Sequence, residues 1–551
     1  MATTIILLPA DLLALIVSYI RAPQDLRNIS LTCKALNTVA VVLIYRKMTL
    51  RLSKMDNRKL LQALVPENAA LGHVRHLVID PFTGCLKDNA EDVLMTLQLL
   101  ANFLPRDSLV SFTLDWPILR EASTHLILQA STILETLFRR QRQLRTLRVD
   151  PCADQAQIRR FGNLSNVTTI QFEVSSKTTA EACGAALEHT PSLRNLEIRI
   201  HLEKCETADQ RDVMSLRLVE NVFGNILRHE RQIVLRALQL RGFELSSASA
   251  KLATAIDLSR IQSLGLHHCS GMADFLGQMK PAGMLRQPSL RTLVLVARSG
   301  YMGTPNDSNN NSDIAALNHL LESFTGLENL VVAAPWQGTL MPGFKALANH
   351  AATLRLLYID CLPLPSDAED ANTVTASNLH LLLGQCIKLE QIALEIPDLV
   401  LTYIDTEIEE TSKKIALALA AAPRLRTFRP HNQLMDRWFE ARFDMDGWLD
   451  KNKVTYAGIE ALLQHWATSF MSLAPGLTAM GLAFNRSHTH LAGIEVDRHY
   501  YGRGYQTDPY GRKTIVAVRL ELDQVREIEP VSEILEINPY GPGLFRMGYQ
   551  P

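Results

Sequence analysis

The amino-acid sequence predicts an α/β fold in which a short N-terminal segment of three helices precedes a long, irregular solenoid of parallel strands. Three observations lead to this prediction. The first forty-odd residues carry apolar stripes at helical spacing, one aliphatic pattern recurs a dozen times over residues 74–430, and helical stretches separate its copies. The predicted organisation is therefore an N-terminal segment (1–50), a solenoid (51–430) and a C-terminal capping region of mixed helix and strand (431–551).

The composition is typical of a globular protein that buries a sizeable core, since 47% of the 551 residues are hydrophobic and 21% are charged. The net charge of −1 provides no field that would attract nucleic acid or an anionic membrane surface, so neither partner is expected. The eight cysteines are scattered and form no CxxC motif. Free thiols in a reducing compartment, cytoplasmic and/or nuclear, are therefore expected.

The first predicted helix covers residues 9–20. Pro9 suits the first turn of a helix, and Asp11 complements the positive end of the helix dipole. The apolar run is shorter than a membrane-spanning helix requires, and no basic residue precedes it as in a secretion signal. We therefore expect neither an anchor nor a leader. The apolar residues at helical spacing are Leu12, Leu13, Ile16, Val17 and Ile20.

Two more helices are predicted, one capped by Asp25 and one starting near Cys33. Three short helices in some 40 residues cannot bury this much apolar surface against one another, because so small a domain needs a staple or a partner. The surplus apolar stripe predicts a surface that another protein covers. The alternative is a helical cap of the array that follows.

The segment from Leu8 to Tyr45 resembles an F-box. The matching features are the Leu-Pro start, the acidic residue two places on, the apolar stripe, an Asp-Leu pair and a Leu-x-Cys-Lys motif; Leu36 stands where a Trp often follows. The resemblance implies docking on the adaptor subunit of an SCF-type cullin–RING ubiquitin ligase, and through it on cullin. It assigns adaptor binding to Leu8, Pro9, Leu12, Leu13, Ile16, Ile20, Leu26, Leu31 and Leu36.

The aliphatic-x-x-aliphatic-x-aliphatic pattern predicts the strands of the array. A strand, a helix and another strand form the crossover that parallel pairing requires. Repetition of this unit predicts a leucine-rich-repeat-like solenoid, with an ordinary α/β domain as the alternative. An F-box followed by such repeats is known among F-box proteins, especially fungal ones. The copies begin at Val74, Leu109, Leu144, Val167, Leu193, Leu235, Ile261, Leu290, Leu327, Leu354, Leu389 and Leu425.

Side chains alternate between the two faces of a strand, so the fourth and sixth pattern positions are expected in the core and the fifth and seventh on the concave face. The first four seventh positions are acidic, which suits a basic segment of a target protein; the alternative is a solvated face that keeps the array soluble. The candidate target-binding residues are Asp80, Asp115, Asp150, Glu173, Arg199 and Arg241.

The C-terminal region contains HYYGRGYQTDPYGRK, which predicts a long turn, and an alternating apolar run over residues 514–522, which predicts a strand. Two interpretations stay open for this region. It is either a capping element of the array or a recognition patch. The patch would consist of Tyr500, Tyr501, Arg503, Tyr505 and Tyr510.

No P-loop, HExxH or GxSxG motif is present. The nearest approaches to a metal site are His267-His268-Cys269, whose neighbouring side chains point to opposite faces of a strand, and His488-x-His490, which lacks further ligands. We therefore expect no metal, no cofactor and no catalysis. The function predicted is a substrate adaptor whose repeats bind an unknown protein; the alternative is a leucine-rich-repeat scaffold or inhibitor with no ubiquitin role.

Overall fold

The computed structural model describes residues 8–20, 23–51, 64–65, 68–80, 90–114, 124–149, 164–174, 176–200, 207–279, 289–297, 309–334, 342–361, 375–394, 410–431, 456–485 and 496–537. The chain divides into two compact units, Met1–Leu258 and Ser259–Pro551. In each unit, helices lie between most of the successive strands of the sheet.

The first unit begins with three helices, α1 (Ala10–Ser18), α2 (Pro23–Ser30) and α3 (Lys34–Arg46). Pro9 occupies the N-cap position of α1 and Cys33 that of α3. Helix α2 starts two residues before Asp25, so this carboxylate lies in the first turn and the predicted Asp25 cap is wrong. Pro23 explains the earlier start, because its fixed φ is already helical and the first turn needs no N–H from it.

The sheet of the first unit consists of seven parallel strands that lie side by side in chain order. A 3₁₀ helix (Ala69–His73) precedes the second strand. The elements are β1 (Lys47–Arg51), β2 (His76–Asp80), α4 (Ala90–Phe103), β3 (Ser111–Leu114), α5 (Thr124–Arg140), β4 (Thr146–Val149), β5 (Thr169–Val174), α6 (Lys177–Glu188), β6 (Asn195–Ile200), α7 (Ala208–Val222), α8 (Gly224–Arg228), β7 (Ala237–Arg241) and α9 (Ser249–Ala255).

The second unit continues with parallel strands and ends in two antiparallel ones. A 3₁₀ helix (Leu258–Arg260) spans the boundary between the units. The elements are β8 (Ser263–Cys269), α10 (Met272–Gln278), β9 (Thr292–Ala297), α11 (Asn309–Ser323), β10 (Asn329–Ala334), α12 (Phe344–Ala348), β11 (Leu356–Cys361), α13 (Ala376–Gln385), β12 (Gln391–Leu394), α14 (Glu410–Ala420), β13 (Thr427–Pro430), α15 (Tyr456–Leu473), β14 (Ala479–Asn485), β15 (Val496–Thr507), β16 (Lys513–Leu520), α16 (Leu522–Ile528) and α17 (Glu533–Glu536).

The predicted fold class, an α/β solenoid of parallel strands behind three N-terminal helices, is confirmed. Each of the twelve pattern copies overlaps a strand, from β2 to β13. Within each unit these strands pair parallel, and described helices lie between most of them. None of the described helices is both long and apolar enough to cross a membrane.

The fourth positions point toward the helices, as the predicted alternation requires. Phe112, at the fourth position of its copy, meets Phe138 of α5 edge-on at 5.4 Å. Phe428, at the fourth position of the last copy, stacks on Phe470 of α15 at 5.8 Å. We call the side that carries the fourth and sixth positions the helix face, and the side that carries the fifth and seventh positions the opposite face.

The long turn predicted around residues 499–513 is wrong, because β15 runs from Val496 to Thr507. Gly502 and Gly504 suggested a turn, but both lie within a hairpin ladder opposite Val518 and Val516. A Cβ at either glycine would collide with the side chain of Leu520 or Val518. The glycines therefore make room for branched neighbours in the sheet.

Candidate protein-docking surface

Helix α1 carries a continuous apolar stripe on its exposed side. Leu12, Leu15 and Ile16 are 46%, 53% and 47% exposed, and Tyr19 at the C-cap is 77% exposed. These residues recur at the spacing that places them on one side of a helix. We call them the docking stripe. Leu31, just after α2, is also exposed.

The other side of α1 forms the core of the three helices. Leu13 and Val17 are buried, as are Leu26 of α2 and Ala40 of α3. Ile20 and Leu36, with other partly buried apolar residues, pack against this small cluster. Burial therefore divides α1 lengthwise into a side that holds the segment together and a side that is available to a partner.

The nine predicted adaptor-binding residues are distributed over both sides. Leu13 and Leu26 lie in the core, Ile20 and Leu36 pack on it, and Leu8 is half-buried. The others, Pro9, Leu12, Ile16 and Leu31, are exposed. Adaptor binding stays a prediction for all nine, with a structural contribution for the buried ones. Leu15, whose side chain widens the apolar stripe in the sequence, and Tyr19 belong to the same exposed side but were not assigned to adaptor binding. Their spacing from Leu12 is the signal that identifies them.

The three helices are attached to the sheet of the first unit. Helix α3 continues directly into β1, which pairs with β2 from Lys47 opposite His76 to Arg51 opposite Asp80. Helix α3 also packs on the 3₁₀ helix before β2. The docking stripe is consequently held in place by the same unit that carries the first strands of the array.

The opposite face of β5, β6 and β7 is polar. Strand register aligns Gln171, Glu197 and Gln239 in one row. Gln171 Nε2 donates to Glu197 Oε1 at 3.0 Å, and the same carboxylate lies 3.8 Å from Arg199 and 3.4 Å from Arg241. One glutamate therefore joins three strands.

The structure describes the side chains of three of the six predicted target-binding residues. Glu173, Arg199 and Arg241 form the next row of this polar face, where Glu173 and Arg199 are half-buried and Arg241 is buried. Asp80 ends β2, but its side chain lies outside the described part, as do Asp115 and Asp150 entirely. Target binding by these residues stays a prediction. The charged side chains described on this face of β5–β7 include both carboxylates and guanidinium groups.

Removal of the Glu197 charge is expected to destabilise the first unit. Glu197→Gln removes the carboxylate that pairs with Arg199 and Arg241 in a partly desolvated row, at a cost of about 1–3 kcal/mol. The measurement is urea unfolding of the chain followed by circular dichroism.

The matched control for that variant is Glu220→Gln, in the same unit. Glu220 pairs with Lys251 at 3.5 Å, and both side chains are about half exposed. Such a surface pair contributes less than about 1 kcal/mol. Equal effects of the two substitutions would contradict a special role for the Glu197 network.

The opposite face of the second unit is apolar and covered. Val294, Val331 and Tyr358 on its strands belong to one buried cluster with Ile534 and Leu535 of the C-terminal segment, which we define as residues 521–537. Both faces of these strands are thus buried. The sequence signal was available, since the fifth and seventh positions of the copies from Leu290 and Leu327 are all apolar.

Hydrogen bonds fix the C-terminal segment to the strands. Gln391 Oε1 accepts from the Ile534 N–H at 2.9 Å, and Thr427 Oγ1 donates to the Val531 carbonyl at 3.0 Å. The buried Arg429 guanidinium donates to the carbonyls of Ile534 and Ile537 at 3.1 and 2.7 Å. The face that they cover is not free for a target protein.

The aromatic residues proposed as a recognition patch are mostly structural. Tyr501 is buried, Tyr500 packs on the apolar cluster, and Arg503 donates to the carbonyls of Leu477 and Ala474 at 2.7 and 2.8 Å. Tyr505 and Tyr510 are exposed. The contacts of the first three favour the capping interpretation of this region.

The described residues contain no cluster of three or more potential metal ligands. His267 and Cys269 are buried in β8, where a bulge separates them, and His268 adopts a positive φ of 52°. His488 and His490 lie outside the described residues.

Comparison with known proteins identifies the N-terminal segment. Residues 5–51 match the family described as F-box-like, so the chain carries an F-box-like segment at its N-terminus. No curated protein matches the chain. Among solved structures, the chain is similar to one described as the crystal structure of the Rad7 and Elc1 complex in yeast, with 12% identity, a TM-score of 0.29, and coverage of 63% of this chain and 90% of that chain.

Proposed function

We propose that the protein is a substrate-recognition adaptor of an SCF-type cullin–RING ubiquitin ligase, with no catalytic activity of its own. The F-box-like segment docks on the adaptor subunit, and through it on cullin, while the leucine-rich-repeat-like array, of the fungal type, binds the target protein. Chemistry comes from the other subunits, and this chain supplies proximity. The protein acts in the cytoplasm and/or nucleus.

One observation supports the proposal above all others. The family match falls on the helices whose exposed side is apolar, and the docking stripe remains uncovered by the described residues. Full burial of an aliphatic side chain contributes about 1.5–3 kcal/mol. Three half-exposed aliphatic residues and one tyrosine therefore provide enough surface for the centre of a specific interface.

The target is expected on the polar opposite face of the first unit. The corresponding face of the second unit is covered by the C-terminal segment, whereas Gln171, Glu197 and Gln239 of β5–β7 are half-buried polar side chains on this face of the first unit. Arg199 and Glu173 are half-buried there and side by side. A target segment with charges of both signs fits this surface best.

Leu12→Asp/Ile16→Asp is expected to abolish capture of the purified SCF adaptor subunit. Two carboxylates in the centre of an apolar interface weaken binding by at least about a hundredfold, equivalent to about 3 kcal/mol. Both residues are exposed, so the free protein should unfold at an unchanged temperature. The measurement is pull-down followed by calorimetric titration.

The matched control for docking is Val213→Asp/Met214→Asp. These neighbours on α7 in the same unit are 49% and 41% exposed, as apolar as the docking stripe, and lie outside the F-box-like segment. Their replacement should leave capture intact. If wild-type protein does not bind the adaptor subunit at all, the scaffold or inhibitor interpretation replaces the proposal.

A further inference from the structure

Polar side chains gather on the opposite face of the second unit, at the carboxyl ends of its strands. Register places Tyr358 of β11, Ala393 of β12 and Arg429 of β13 in one row. Two residues further along, on the same face, lie Asp360 and His431, because side chains two apart share a face.

Strand β15 contributes a second guanidinium to this face. A Cβ on Gly481 of β14 would lie 3.8 Å from Arg429 Cγ and 3.7 Å from the ring of Tyr500, so these residues share the face. Arg498, two residues before Tyr500 and paired with Ala483 of β14, therefore faces the same way as His431.

Three members of the group have their polar atoms engaged. The Tyr358 hydroxyl donates to Asp360 Oδ2 at 3.2 Å, and its ring lies 5.7 Å below the guanidinium carbon of Arg429. Arg429 itself donates to the carbonyls of Ile534 and Ile537. The His431 ring meets Tyr358 edge-on at 4.6 Å. The group is thus compact and partly enclosed by the C-terminal segment.

Two members are unsatisfied. His431 Nε2 is buried and has no hydrogen-bond partner. The half-buried Arg498 guanidinium has neither a carboxylate nor a hydrogen-bond acceptor within the part of the chain that the structure describes. Burial, followed by the charges of Arg429 and Arg498, holds the pKa of His431 well below its usual 6.5, so the ring is neutral and carries one N–H. Buried polar groups without partners require an explanation.

We propose that Arg498 and His431 bind a phosphate group at this position, with Arg429 adding positive charge beneath it. The guanidinium offers a planar pair of donors to phosphate oxygens, and the neutral imidazole can present Nε2–H as a further donor. The guanidinium groups of Arg429 and Arg498 outnumber the Asp360 carboxylate, which accepts from the Tyr358 hydroxyl on the same face, so the group keeps a net positive charge that favours an anion. This site is independent of the ubiquitin-ligase proposal, since no partner protein takes part in it.

The test is calorimetric titration of the full chain with inorganic phosphate, O-phosphoserine and acetate at constant ionic strength. Saturable binding of phosphate with weaker acetate binding is expected. Tighter binding of O-phosphoserine than of inorganic phosphate would identify a phosphate monoester as the ligand, and the reverse order would identify the free ion. Failure of both phosphate compounds to bind would overturn the proposal.

Arg498→Gln is expected to weaken phosphate binding at least tenfold. Arg512→Gln, at an exposed arginine in the turn between β15 and β16, is the control and should bind as wild type does. His431→Phe preserves the ring against Tyr358 and removes Nε2, so it should weaken binding several-fold even if Arg498→Gln is poorly folded. Wild-type affinity in a folded Arg498→Gln protein, or equal losses in Arg498→Gln and Arg512→Gln, would contradict the site.

Discussion

Leu535→Asp is expected to release the C-terminal segment from the strands that it covers. The free energy of unfolding of the second unit should fall by about 4–5 kcal/mol. Leu535 is fully buried, and its Cδ2 atom fills the space above Gly481, where a Cβ would be only 2.8 Å away. A carboxylate there would be buried without a partner, which is among the costliest of single substitutions. Helix α17 has only four residues and cannot persist without that contact.

Ile528→Asp provides the comparison within the same segment. Ile528 ends α16 and is 55% exposed, so its replacement changes polarity without burying a charge. Urea unfolding should give a change within about 0.5 kcal/mol for this variant. Limited proteolysis should cut residues 521–537 in the Leu535 variant first. Similar cleavage of the two variants would show that the apolar contact does not retain the segment.

The strands were predictable because their signal is local. Each copy of the pattern places apolar residues at spacings that only a strand with one buried face satisfies, and parallel pairing follows from the helices between copies. Strand β1 carries no such copy and was not predicted, since its sequence, KMTLR, is short and largely polar. It forms because β2 offers an open edge directly after α3.

The cover over the second unit was not predicted because it depends on distant contacts. Gln391 meets Ile534 143 residues later in the sequence, and no local pattern encodes that approach. The fifth and seventh positions were predicted to face solvent, and this is wrong for Val294 and Val331, which are buried. Their apolar side chains are typical of strands that are buried on both faces. They could not identify which segment covers the second face.

The sequence predicted an apolar helix at the position of α1, but not which of its apolar residues are buried and which are exposed. Leu12 and Leu13 are equally apolar neighbours, yet one is 46% exposed and the other is buried. Amphipathic spacing defines the width of an apolar stripe, whereas the position of α3 decides which edge of the stripe is covered. In the structure Ala40 of α3 packs in one buried cluster with Val17 of α1 and Leu26 of α2.

Substitution of Gly184 is also expected to cause a large loss of stability, because α6 and α7 are in close contact at this residue. A Cβ at Gly184 would lie 2.8 Å from the carbonyl oxygen of Val222 and 2.9 Å from that of Asn221. Both atoms belong to the backbone at the end of α7 and cannot rotate away. Gly184→Val is therefore expected to destabilise the first unit by about 3 kcal/mol or more, since the helices must separate.

A graded pair of variants separates this clash from the loss of glycine flexibility. Gly184→Ala should cost less, about 1–2 kcal/mol, because the gain of nearly 1 kcal/mol in helix propensity offsets part of the collision. Gly224, the first residue of α8 in the same unit, has no atom within 4 Å of its ideal Cβ. Gly224→Ala should accordingly be neutral or slightly stabilising in urea unfolding. If Gly184→Ala also raised the free energy of unfolding, the contact between α6 and the carbonyls of Val222 and Asn221 would be looser than described, and the predicted clash would be contradicted.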